Sequence, residues 1–190
     1  MNGLYINTSN DLFIKMHPFF EALGEEADKY DWLVSEAGPW DPIFMKVSAK
    51  SDRYENEAYH FMDGASLRKA IADNRMQVMN WGMFCAFPKG TKIDDVLSQG
   101  FPRADFNDEL WSNPVRMQNA SSVIEIAAVE GTKIQIKCDD EEVLARISKA
   151  YPDAYDLSKY NESVMRKTTD TKNKAASGTG KGFLSRLFGK

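Results

Sequence analysis

At 190 residues, 43% hydrophobic and 12% aromatic, the chain has room for one domain with a real core and an appendage. Its net charge of −4 conceals a division: residues 166–190 hold seven Lys or Arg against Asp170 alone, and residues 1–165 hold seventeen bases against twenty-seven acids. The acidic body excludes nucleic acid as the main partner, because phosphate binding needs clustered cations, and two cysteines without a CxxC spacing give neither a disulfide scaffold nor a zinc or redox motif.

The N-terminus, MNGLYINTSND, has no basic n-region or apolar h-region, and no stretch approaches the roughly 18 apolar residues of a spanning helix, so the expected compartment is the cytoplasm. Leu4 to Asn7 reads as a short strand. From Ser9 the pattern is helical: Leu12, Phe13, Met16 and Phe20 share a face, Ser9 or Asn10 can cap it, and Pro18 kinks the helix or restarts it in its first turn. DWLVSE at 31–36 is a short element bounded by the loop AGPWDP. Ile43 to Ser48 reads as a strand, Lys50 to Glu57 as a polar loop and Ala58 to Met62 as another strand. Asp63 is placed to cap a helix with Leu67, Ala70 and Ile71 inward.

Met76 to Phe87 is apolar on both alternating faces, which assigns it to the middle of a sheet covered on both sides; Gly82 marks a bulge or a close approach of another backbone. A short helix begins at Thr91 and stops at Gly100. Residues 101–120 carry two prolines and no sustained period. They join the central strand to the next hairpin, so they cross a face or an edge of the sheet.

Ile124, Ile126 and Ala128 alternate with Glu125 and Ala127, and Ile134, Ile136 and Cys138 alternate with Lys133, Gln135 and Lys137: two half-buried strands. Matching apolar with apolar pairs Ile126 with Ile136, Ile124 with Cys138 and Ala128 with Ile134, and sets Glu125 across from Lys137. That register needs a loop of three or five residues around Glu130-Gly131. Asp139 is expected as the N-cap of a helix with Glu142 in a capping box, Val143, Leu144 and Ile147 inward, and Pro152 ending it. Cys85 and Cys138 both fall in buried strands, as small apolar filler.

The expected fold is α+β: a mostly antiparallel sheet of about five or six strands with helices packed on it, in one domain over 1–160. Residues 161–181 are polar and poor in apolar groups, a flexible linker. Residues 182–190, GFLSRLFGK, place Phe183, Leu184, Leu187 and Phe188 on one helical face beside Arg186, a basic amphipathic segment suited to a membrane surface, a partner's groove or the chain's own acidic body.

No set of residues requires a cofactor or a metal. Glu57-x-x-His60 resembles half of a di-iron carboxylate motif but has no second copy, and SGTGKG at 177–182 departs from the phosphate-loop pattern at both Ala175 and Gly182. The leading expectation is a non-catalytic protein-binding module, in its most concrete form an immunity-type protein neutralising a cationic partner. Its loop aromatics Trp40, Phe101, Phe106 and Trp111 are the candidate anchors. The alternatives are a peripheral membrane protein held weakly and reversibly by its tail, and an enzyme using His60 with a carboxylate.

Overall fold

The computed structural model describes residues 2–9 and 13–178, and beyond Lys167 only the backbone of the last helix. In chain order the strands are β1 (Asn2–Asn7), β2 (Ile14–Lys15), β3 (Tyr30–Ser35), β4 (Lys50–Tyr54), β5 (Glu57–Asp63), β6 (Val78–Met79), β7 (Gly82–Pro88), β8 (Ile124–Val129), β9 (Lys133–Cys138) and β10 (Tyr155–Asp156). The helices are α1 (His17–Leu23), α2 (Asp41–Phe44), α3 (Gly64–Asp73), α4 (Ile93–Ser98), α5 (Glu141–Ala150) and α6 (Leu157–Gly178). Eight strands form one sheet in the order β10-β1-β9-β8-β7-β3-β5-β4, every pairing antiparallel, and β2 pairs with β6 outside it. The protein is α+β with a mostly antiparallel sheet, two or three strands wider than its sequence announces.

The β8–β9 hairpin has the register that apolar matching requires, with Ile126 opposite Ile136 and Glu125 opposite Lys137. Its loop is Glu130-Gly131-Thr132, and the first two of these residues adopt positive φ, 53° and 69°. Neighbouring chain holds this loop in place: Thr8 N–H donates to the Thr132 carbonyl at 2.7 Å and Gly131 N–H to the Asn80 carbonyl at 2.8 Å. β7 is central, with Phe84 and Ala86 on one face and Met83, Cys85 and Phe87 on the other, all buried. The apolar run does not continue as one strand, however. The chain turns at Asn80-Trp81, and a Cβ on Gly82 would lie 2.4 Å from the Met79 sulfur, the close approach that this glycine permits.

One face of the sheet is covered by α1, α3 and α5, which bury Phe19, Phe20, Leu23, Leu67, Ile71, Val143 and Ile147 against Trp32, Val34, Phe84, Ile126 and Ile136. The other is covered by the long excursion between β7 and β8, which seats Val96, Ala104 and Leu110 on Leu33, Met83, Cys85 and Val129, and by the start of α6. The 101–120 segment therefore crosses a face, with only a short 3-10 turn, Asp108–Trp111, of its own.

Several local readings are corrected. The helix expected from Ser9 begins at His17 with Pro18 in its first turn, because Ile14–Lys15 is extended and pairs with Val78–Met79. Residues 43–48 are not a strand: Trp40 and Phe44 stack at 5.2 Å and pull the chain into a helical turn, leaving Met45 exposed. Lys50–Tyr54 is a strand and not a loop; it is polar because it is the sheet edge. The cap of α5 is Asp140, whose Oδ1 accepts from Glu142 N–H at 2.8 Å, since β9 runs on to Cys138. At the start of the linker expected over 161–181, Asn161 is buried in the domain, within the helix α6. The segment 182–190 lies outside the described residues.

Candidate partner-binding surface

At the end of the sheet where β3 and β8 finish and β5 and β7 begin, two cavities of about 330 and 320 Å³ adjoin, sharing Trp81 and Asp105. Together they form a groove. Its ionisable lining is Glu36, Asp41, Glu57, Asp105, Asp108 and Glu130 against Arg53, and its apolar lining includes Trp81, Phe106 and Trp111.

The groove is built by backbone that resists ordinary geometry. Glu36, Glu55, Phe106 and Glu130 are the residues other than glycine that adopt positive φ among those described, at 49° to 56°, and all four stand at this end of the sheet. For L-residues with large side chains that conformation costs about 1 kcal/mol or more each. Glu36 is the keystone of the centre: its Oε2 accepts the N–H groups of Ala104 at 2.5 Å and Asp105 at 3.0 Å, tying the excursion to the end of β3. Burial pushes the Glu36 carboxyl above the usual carboxylate range; the two N–H groups oppose that rise, and the charges of Glu57 and Asp105 add to it.

The Glu36 clamp leads directly to Phe106. Asp105 Oδ1 accepts the Phe106 N–H at 2.9 Å, and Asn107 Nδ2 and Gln118 Nε2 both donate to the Arg103 carbonyl, at 3.0 and 2.8 Å. The loop is thus braced on both sides of a phenylalanine that is 100% exposed.

The four expected anchors have different fates. Phe106 and Trp111 line the groove, Trp111 half-buried with the Lys133 ammonium 5.7 Å from its ring centroid. Phe101 stacks on Tyr54 at 5.0 Å under the Arg103 guanidinium and is partly buried. Trp40 presents nothing to a partner: it is fully buried, its indole N–H donating to the Val78 carbonyl at 3.1 Å, so it is core. The acids, with Trp81, are what sequence reasoning missed; they come from five separate segments.

His60 is 1% exposed. Its Nδ1 meets Ser51 Oγ at 2.9 Å and its Nε2 meets Asp41 Oδ1 at 3.0 Å. The ring brackets β4, β5 and α2 and holds Asp41 in the groove wall. The carboxylate that His60 meets is Asp41, and Glu57 of the Glu57-x-x-His60 pair faces the groove instead. Among the described residues no three His, Cys, Asp or Glu side chains converge as a metal site, and no helix is long and apolar enough to cross a membrane. No protein-family model, curated protein or solved structure matches the chain.

Proposed function

We propose that the protein is a non-catalytic, cytoplasmic binding module that receives a basic protein at the acidic groove, as an immunity protein neutralises a cationic toxin. The observation that supports this reading is the gathering of all four left-handed, non-glycine residues at one end of the sheet, with Phe106 wholly exposed at the apex of a braced loop. Folding alone gains nothing from a rigid, solvent-exposed phenylalanine. A partner that buried it would gain roughly 1.5–3 kcal/mol from that side chain, and the brace would spare much of the ordering cost of binding. The surrounding carboxylates supply attraction for Lys and Arg and speed encounter with a cationic surface. No cofactor takes part in this reading, and the tail adds a weak, reversible membrane contact.

The test is affinity capture from native lysate with the full chain beside Phe106→Ser and the pair Asp105→Lys, Glu57→Lys. A basic protein retained in stoichiometric amount by the natural chain and lost from both variants is the expected result. Equal retention by the variants, with unfolding midpoints unchanged, would place binding elsewhere on the molecule.

A further inference from the structure

Ser51, His60 and Asp41 form one hydrogen-bonded line on the face of the sheet that carries α2. His60 is buried in β5, Ser51 is exposed on the edge strand β4, and Asp41 opens α2 with its carboxylate 33% exposed. The ring lies between the other two, Nε2 3.0 Å from Asp41 Oδ1 and Nδ1 2.9 Å from Ser51 Oγ. A carboxylate only accepts hydrogen bonds, so in the neutral ring Nε2 carries the proton and Nδ1 is left with a lone pair. The Ser51 hydroxyl therefore donates to Nδ1, and the lone pairs of its oxygen are left for attack. Ser98 and Ser163 are exposed too, but their hydroxyls donate to the carbonyls of Asp95 and Tyr160. A carbonyl takes no proton from a serine; an imidazole does.

Two further features serve the same oxygen. Glu55-Asn56 is a two-residue turn closed by the Tyr54–Glu57 pair, so Tyr54, Asp52 and Lys50 bond to β5 while Ser51 and Arg53 direct their N–H groups off the open edge. The Arg53 N–H accordingly donates to Asp52 Oδ1, at 2.8 Å. The Ser51 N–H is thus a donor at the nucleophile itself, for the oxyanion that attack creates. Ser51–His60 and Arg53–Ala58 are also successive cross-strand pairs on one face, roughly 7 Å apart. Asp41, Arg53 and Ala58 line the cavity of about 330 Å³. Ser51 stands at its rim, with room beside it for an acyl group.

We propose that Ser51 is a nucleophile that takes an acyl group from an ester, with His60 as its base and Asp41 positioning that base. Ser51 Oγ bonds to the ester carbonyl carbon as its proton passes to His60 Nδ1. The tetrahedral adduct then breaks its bond to the leaving oxygen, which takes the proton from Nδ1 and departs as an alcohol. Asp41 stabilises the imidazolium formed between the two steps. Either ring nitrogen serves as the base, provided that the other is held by the carboxylate. One event per chain is enough, without turnover, and nothing in it rests on the groove's partner.

A neutral fluorophosphonate, which phosphonylates activated serines with loss of fluoride, tests this on the full chain, the labelled peptide being located by mass spectrometry. Ser51 is expected to label at least about 100-fold faster than Ser98 or Ser163. p-Nitrophenyl acetate should transfer one acetyl group to the same oxygen. Asp41→Asn removes the charge that favours proton transfer to the ring and should slow labelling by at least about tenfold, with the unfolding midpoint unchanged. No label on Ser51, a rate no greater than that of Ser98, or an Asp41→Asn chain that is equally stable and labels as fast would overturn the proposal and leave the two hydrogen bonds as a brace alone. Nitrophenol released beyond one equivalent, and lost in Ser51→Ala, would support the nucleophile and end the non-catalytic reading.

Discussion

On one face of the sheet Phe20 of α1 sits between Trp32 and Phe84, with ring centroids 5.3 and 5.6 Å away, in a layer whose inward side chains are almost all apolar. On the other, beneath the excursion, Glu125 and Lys137 meet at 3.2 Å while 1% and 3% exposed, and the carboxylate also accepts Gln118 N–H, Asn119 N–H and the Ser122 hydroxyl. Helices satisfy their own backbone, so the helical layer needs only apolar surface to attach it. A long loop brings unpaired N–H groups with it, and a buried carboxylate is what this sheet offers them.

The largest effects should come from removing the centre of each attachment. Phe20→Ala leaves a cavity and should cost ~3–5 kcal/mol. Glu125→Ala strands the Lys137 ammonium and should cost a similar ~3–5 kcal/mol. Urea unfolding measures both, but hydrogen exchange should separate them. Phe20→Ala should speed exchange of every core amide to the global rate, whereas Glu125→Ala should expose the amides of residues 100–123 first. Uniform loss in both variants would mean that the loop-covered face is no separate unit.

The same contrast decides how much was legible in the sequence. The β8–β9 register, the α3 cap at Asp63 and the two-sided burial of β7 follow from local alternation and capping, because in each the partner is close in sequence or the pattern is strict. Edge strand β4 was hidden because its burial is low on both sides, so it carries no alternation. The groove was hidden because Glu36 and Ala104 are 68 residues apart, and no pattern reports that a glutamate will accept N–H groups from a distant loop. Phe106 was legible as an aromatic in an aperiodic stretch; Trp40, equally conspicuous between Pro39 and Pro42, is core, since a tryptophan with an N–H acceptor in reach is readily buried.

Smaller changes sharpen the comparison. Gln135 lies beneath the loop layer, 1% exposed, with neither polar atom of its amide paired among the described residues. Gln135→Leu should therefore raise stability by ~1–2 kcal/mol in urea. A loss instead would show that the amide is satisfied in solution.

Acids on the two sides titrate in opposite directions. The hydrogen bond from the Ser66 hydroxyl holds Asp63, the α3 cap, below its ordinary 3.8, so the stability it adds is present above that value and lost as pH falls through the folded one. Burial raises Glu36 above its ordinary 4.5, so the folded state binds its proton more tightly, and Glu36's contribution weakens as pH rises from there through the folded value. Glu36→Gln should flatten the stability profile above pH 4.5 and leave the acid limb intact. Asp63→Ala should cost ~1 kcal/mol near neutral pH and remove part of the acid limb. Measured profiles that shift in the same direction for both variants would refute the assignment.

The smallest expected effect on stability is at the groove's apex, where it separates stability from binding. Phe106 buries nothing and stands at φ 49°, a conformation that glycine adopts without a Cβ penalty. Glycine also gains entropy when unfolded, so Phe106→Gly should change stability by no more than about +0.5 to +1 kcal/mol, whereas Phe106→Ala, which keeps the Cβ, should change it by less than about 0.5 kcal/mol. Both remove the exposed ring. If the ring is there for a partner, both should lose the captured protein to the same degree despite their different stabilities. If only Phe106→Ala binds poorly while Phe106→Gly keeps the partner, the loop's conformation carries recognition, and the phenylalanine is a surface residue that happens to be strained.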